Sequence, residues 1–211
     1  VSGDFYWSAE KGQYLYVAAA DCTGHGVPGA FMSMLGITLL DEIVNHTSEE
    51  SSAALLNRLR MEVISALKQK GVEGEAKDGM DISLCIYNKQ KKQLKFSGAN
   101  NPLYLLREGE LTIFPADKIP IGISDSITES FTEHLINLNN NDIVYVFSDG
   151  FADQFGGPDG KKFKYNRFRE TLKQVQDMSM PEQKEELEKI FDDWKNNIDQ
   201  IDDVLIIGFR V

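Results

Sequence analysis

Residues 143–150 read IVYVFSDG. The first five are apolar at every position and rich in β-branched and aromatic side chains, which predicts a strand. A strand with one wet face alternates in polarity, whereas one that is apolar throughout has to be covered on both faces. The turn Asn139-Asn140-Asn141-Asp142 precedes it, so a partner strand is expected over 131–138. Residues 204–209 have the same character and predict another buried strand at the end of the chain. Near the start, 1–7 and 14–20 flank Glu10-Lys11-Gly12 and read as a hairpin. Between these ends, 82–87, 94–97, 103–106 and 111–114 are short strands punctuated by turn residues, which reads as an antiparallel meander.

Helical spacing accounts for much of the rest. Pro28 opens a helix to about residue 44, with Phe31, Leu35, Leu39 and Ile43 at helical intervals. Ser51 or Ser52 caps a second, with Leu56, Leu59, Val63 and Leu67 on one face and Gly71 at its end. Two more are expected over 165–175 and 181–194. Strands, a helix pair, strands, helices and a final strand make an α+β order, without the strict alternation of a doubly wound sheet. Two antiparallel sheets packed face to face with helices outside would bury the apolar strands. Residues 1–211 are read as a single domain, cut from a longer protein because the chain starts with Val inside a strand.

A net charge of −11 argues against nucleic acid as a partner. No apolar run approaches the length of a membrane span, so no membrane contact by this domain is expected. Cys22 and Cys85 lie far apart without CxxC spacing, which predicts neither a zinc site nor a disulfide framework and suits a cytoplasmic setting.

The densest chemistry lies in ADCTGHGVPGAFMSML, residues 20–35. Gly24 and Gly29 have phosphate-loop spacing, but Ala30 and Phe31 stand where that loop needs Lys and Ser or Thr. A cysteine phosphatase built on Cys22 would want an arginine where Pro28 stands. A Cys22–His25 acyl-transfer pair and a metal site both remain open on these residues alone. Four further places bear on the choice: Asp4 follows Gly3, Asp21 ends an apolar strand, Asp149 ends IVYVFSD, and Asp202-Asp203 open the last strand. Any one of them alone is a turn residue. Gathered at one end of a sandwich, they could not stay ionised without cations, and hard oxygen ligands point to Mg²⁺ or Mn²⁺.

GDFYW (3–7), DCTGHGVPGAFMSMLG (21–36), SGANNPLYLL (97–106), IPIGI (119–123), VFSDGFAD (146–153) and DDVLII (202–207) follow one another in this order. Together they resemble the stage II sporulation protein E branch of the bacterial type 2C-like, metal-dependent serine/threonine phosphatases. The resemblance implies a four-layer αββα sandwich with two Mn²⁺ or Mg²⁺ ions at one end. It implies that Asp21 bridges the ions, with the backbone carbonyl of Cys22, Asp4, Asp149 and Asp202 completing the protein ligands; Asp202 is preferred to Asp203. It further implies attack on phosphorus by a metal-activated water, with His25 as general acid toward the leaving oxygen. The expected partner is a phosphorylated protein, such as an anti-sigma-factor antagonist, in bacterial signalling.

Three departures from the family pattern stand out. No arginine beside Asp4 matches the phosphate anchor of eukaryotic-type relatives, so the anchor is unassigned. Leu205 stands where Thr or Ser is common. Asp81, at a place that is often apolar, reads as a turn residue. The competing expectation is a catalytically weak, metal-binding regulatory module that forms a homodimer through the helices at 28–70.

Overall fold

A computed structural model describes residues 2–24, 26–46, 51–72, 77–124 and 130–211. The chain opens with strands β1 (Phe5–Lys11) and β2 (Tyr14–Cys22), then helices α1 (Gly26–His46) and α2 (Ser52–Ala66). Strands β3 (Gly79–Asn88), β4 (Gln93–Ala99), β5 (Leu103–Arg107), β6 (Glu110–Phe114), β7 (Ile121–Gly122), β8 (His134–Asn137) and β9 (Ile143–Phe147) follow. The last third holds α3 (Gly150–Asp153), β10 (Phe155–Gly156), β11 (Lys161–Lys162), α4 (Tyr165–Gln174), α5 (Met180–Lys195) and β12 (Ile206–Arg210).

Two antiparallel sheets carry the fold. One runs β1-β2-β3-β4-β8 with β7 paired to β3, and the other runs β12-β9-β5-β6. The period of two along each strand sorts its side chains into separate layers. In β2, Val17 and Ala19 face the second sheet, while Tyr16, Ala18, Ala20 and Cys22 face the helices. In β9, Val144 and Val146 meet the first sheet, while Ile143, Tyr145 and Phe147 pack under α3, α4 and α5. This explains why IVYVF is apolar throughout: each of its faces is a core. The architecture is the expected αββα sandwich.

Local signals set the helices. Ser51 caps α2 by accepting a hydrogen bond from the Ala54 N–H, and Leu55, Leu56, Leu59 and Val63 line its buried face. Arg60 lies buried on that helix, where its guanidinium donates to the Gly122 carbonyl at 3.2 Å and the Ser124 hydroxyl at 2.8 Å. Ser179 and Glu182 form a capping box at the start of α5.

Several expectations need correction. The meander is split: β3 and β4 lie in one sheet, β5 and β6 in the other, and the chain crosses between sheets at 100–102. Turn spacing cannot reveal a change of sheet. The first strand starts at Phe5 rather than residue 1, and the last starts at Ile206 and lies half-buried on a sheet edge.

Helix α1 differs most from its sequence reading. Phe31 and Met34 are exposed at 67% and 66%, while Gly29, Ser33 and Gly36 face inward with Met32, Leu39, Leu40, Ile43 and Val44. A Cβ on Gly36 would sit 2.7 Å from the Phe5 ring, so the small residues let the helix lie close to the sheet and its bulky residues turn outward. In length and mean hydropathy, 1.5, α1 also reaches what a bilayer span needs. The run-length reading missed this because small polar residues interrupt it. Its Leu40, Ile43 and Val44 nevertheless pack into the core over the first sheet.

Candidate metal centre

The acidic residues meet at one end of the sandwich. Phe5 pairs with Ala20, so Asp4 sits next to the end of β2, where Asp21 pairs across with Asp81 of β3. These three come from neighbouring strands of the first sheet. The second sheet supplies the others: Asp149 lies just past β9, and Asp202 precedes β12, which pairs with β9 through Ile206 and Phe147. Both sheets therefore end in carboxylates on the same side.

Their electrostatics show how closely they meet. Burial, then the charges of Asp4, Asp149, Asp202 and Asp81, push the Asp21 carboxyl up to about 8. Asp4 rises to about 6 through burial and the charges of Asp203 and Asp202, with Ser148 and Asp21 pulling the other way by hydrogen bonding. Asp149 is raised by burial and by Asp202, Asp153 and Asp81, while Lys162 opposes the shift. Among the described residues, Asp4 Oδ2 and Asp149 Oδ1 are buried atoms with no hydrogen-bond partner. Buried carboxylate oxygens are normally satisfied, and a divalent cation would satisfy both and reverse the mutual repulsion.

No three acidic, thiol or imidazole groups among the described residues converge into a ready-made cage. The all-oxygen donor set favours Mg²⁺ or Mn²⁺, which keep several waters and take few carboxylates, over zinc.

The glycine-rich loop is clamped to the N-terminal segment. A Cβ on Gly3 would lie 2.6 Å from the Gly24 carbonyl oxygen, and one on Gly29 would lie 2.5 Å from it, so three backbones close-pack. The Ser33 hydroxyl donates to the Gly3 carbonyl at 2.7 Å, and the Gly3 N–H donates to Asp203 Oδ2 at 2.8 Å. Asp203 is thus engaged in holding residue 3 while its charge also raises Asp4, and the charge of Asp202 acts on Asp4, Asp21 and Asp149 alike. No sequence signal separated the two.

Cys22 is buried, and burial pushes its thiol up to about 12, so almost no thiolate exists at neutral pH. This argues against a Cys22 nucleophile. His25 lies outside the described residues. Asp81 is not a turn residue: it sits within β3 opposite Asp21 and accepts a hydrogen bond from Asn100 Nδ2 at 2.7 Å. Its alternation pattern resembled a strand start, and only the register places it beside the cluster.

The raised carboxyls fix the sign of a pH effect. Between about pH 4 and pH 8 the folded protein without metal holds protons that the unfolded chain has released, so its stability falls as pH rises. Water screens these half-buried groups, leaving an effect of about 1–2 kcal/mol, or roughly 3–8 °C in Tm. Thermal melts in chelator from pH 5 to pH 8 are expected to show this fall, with Mn²⁺ restoring more at pH 8 than at pH 5. A flat chelated profile would mean that the carboxylates do not repel as described.

The profile of the stage II sporulation protein E (SpoIIE) family matches residues 11–211. The type 2C phosphatase domain of SiaA from Pseudomonas aeruginosa superposes with a TM-score of 0.89 at 29% identity, covering 100% of this chain and 81% of that one. The phosphatase domain with a regulatory fragment of SpoIIE from Bacillus subtilis gives 0.78 at 20% identity, covering 100% of this chain and 59% of that one. RsbX in complex with magnesium gives 0.67 at 17% identity, covering 99% and 86%. No curated protein sequence matches the chain.

Proposed function

This chain belongs to the stage II sporulation protein E family, and from that premise we propose that it is a metal-dependent phosphoserine/phosphothreonine protein phosphatase of bacterial signalling. One observation carries the reading: both sheets end in carboxylates at one place, with two buried oxygens unpartnered and Asp21 pushed up to about 8 by burial and its acidic neighbours. In this reading Asp4, Asp21, Asp149, Asp202 and the backbone carbonyl of Cys22 hold two Mg²⁺ or Mn²⁺ ions. When bound, these ions supply Lewis-acid polarisation of the phosphoryl group and acidify water near neutral pH.

The chain's own residues provide the frame. Asp203 and Ser33 fix Gly3 from both sides, which orients Asp4 toward Asp21. A short loop ties Asp21 to α1, and Asp149 directly precedes α3 at its N-cap position. His25 would protonate the departing serine or threonine oxygen. No side-chain nucleophile is required, in keeping with the buried, protonated Cys22 thiol. The substrate would be a cytoplasmic phosphoprotein, with an anti-sigma-factor antagonist as the partner implied by family resemblance. The lack of a ready-made three-ligand cage among the described residues favours one alternative, a metal-binding regulatory module with little turnover.

Phosphate release from a phosphoserine peptide and from a generic phosphoester, titrated with Mn²⁺, separates the two. A phosphatase gives saturable turnover that chelator abolishes. Mn²⁺ binding without turnover would favour the regulatory module, and turnover indifferent to chelator would sink the metal reading.

A further inference from the structure

A phosphatase with an acidic site needs a cation for its dianionic substrate, and among the described residues no arginine or lysine adjoins Asp4 in sequence. Among the described residues, two lysines act electrostatically on the site carboxylates: Lys162 on Asp149 and Lys118 on Asp81. Lys162 is committed, 2.6 Å from Asp153 and over the Phe155 ring. Lys118 is exposed and takes part in no ion pair among the described residues.

The backbone that carries Lys118 is tied to the site. Asp117 forms a bridge with Ala99, and its carbonyl accepts the Asn100 N–H at 2.8 Å. Asn100 in turn donates its Nδ2 to Asp81, which pairs with Asp21 across β2 and β3. The neighbouring Asp117 carboxylate is turned to Thr132, accepting from its N–H at 2.7 Å and from its hydroxyl at 2.9 Å, and forms no ion pair with the lysine. On the other side, Ile119 and Ile121 anchor the segment, exposed by only 2% and 0%. A fixed base with a free, flexible ammonium at the rim of a carboxylate cluster is what capture of a phosphate from solvent needs.

We propose that Lys118 is the phosphate anchor of this domain, binding the phosphoryl oxygens of an incoming phosphoserine or phosphothreonine at the rim of the carboxylate cluster. The assignment rests on the phosphatase reading above. It places the anchor on the segment before β7, on the far side of Asp81 from Asp4.

The test compares Lys118→Ala and Lys118→Arg with the wild type, all loaded with Mn²⁺. Three quantities are measured: KM for a phosphoserine peptide, competition by inorganic phosphate, and the Mn²⁺ concentration at half-maximal thermal stabilisation. Lys118→Ala is expected to raise KM and weaken phosphate competition about tenfold, the worth of one partly solvated charge-assisted contact. Lys118→Arg should recover most of this, and the Mn²⁺ midpoint should stay unchanged in both variants. Unchanged KM and phosphate competition in Lys118→Ala would overturn the anchor while leaving the phosphatase intact. A shifted Mn²⁺ midpoint with unchanged phosphate affinity would also overturn it, assigning Lys118 to the electrostatics of Asp81. If the wild type binds Mn²⁺ without turnover, the phosphatase reading fails separately. Inorganic phosphate binding to the Mn²⁺-loaded protein, measured by calorimetry, then decides the anchor by the same tenfold loss.

Discussion

Asp149→Asn is expected to leave a folded domain whose Mn²⁺-dependent turnover has fallen about a thousandfold. The amide matches the carboxylate in size, so packing around it is preserved. What changes is charge and ligand strength at an oxygen that is buried and unpartnered. A metal site contributes several kcal/mol of transition-state stabilisation, and each 1.36 kcal/mol is tenfold in rate, so weakening one ligand costs on the order of three decades. A second consequence has the opposite sign. Asp149 is one of the charges that raise Asp21, so in chelator at pH 8 the variant should melt above the wild type. Asp159→Asn removes an exposed carboxylate paired with Lys161 and serves as the charge control. Wild-type turnover in Asp149→Asn would remove the carboxylate cluster from the chemistry. A lower melting temperature in chelator would show that Asp149 is structural instead.

Gly150→Ala is expected to harm the same site through the backbone. A Cβ at this position would lie 2.0 Å from the Asp203 carbonyl oxygen and 2.9 Å from its carbon. No side-chain rotation relieves a clash with backbone, so the segment carrying Asp202 and Asp203 has to move. Overpacking of this kind costs about 1–3 kcal/mol, and displacing a positioned group by about 1 Å can lower a rate about 100-fold. The variant should therefore lose several degrees in Tm and about two decades in turnover, with weaker Mn²⁺ binding. Because Asp203 holds Gly3, the shift should reach Asp4 as well. A variant with wild-type Tm and turnover would show that the 202–204 segment is free to move without consequence.

The two predictions can be told apart. Asp149→Asn acts on charge and should be more stable than wild type when metal is removed. Gly150→Ala acts on geometry and should be less stable with or without metal. Measuring both melts in chelator separates an electrostatic role for the SDG turn from a steric one.

Much of the candidate site was legible as residue types at strand ends. An isolated aspartate after an apolar strand is costly unless something compensates it, and Asp21 and Asp149 carried that signal. Asp81 did not, because its side chain is one of alternating positions in β3 and only the pairing Asp21–Asp81 reveals its neighbourhood. Lys118 gave no signal at all. An exposed lysine in a loop is ordinary until the Asn100 hydrogen bonds tie that loop to the carboxylates. His25 falls outside the described residues, so its role rests on family resemblance.

Phe31 and Gly36 show the same limit within one helix. Helical spacing along α1 offered a bulky apolar face as the core face, yet the small-residue face packs on the sheet. Periodicity reports which residues share a face; it does not report how closely a neighbour approaches. Close approach of α1 to Phe5 selects the glycine face, and only the assembled layers contain that distance.

The sequence by itself determined the α+β class, most of the longer elements and the character of β9, because strand and helix periods and turn residues are local properties of the chain. It also pointed to a hard cation as the ligand expected at Asp4, Asp21, Asp149 and Asp202, because oxygen donors prefer one. The tertiary structure decided which sheet each strand joins, the inward face of α1, the tie between Asp203 and Gly3, and the place of Asp81 and Lys118. Those depend on register and on approach between residues up to 200 positions apart, as in the Gly3–Asp203 hydrogen bond. Long-range pairing is a property of the packed layers, and no local period encodes it.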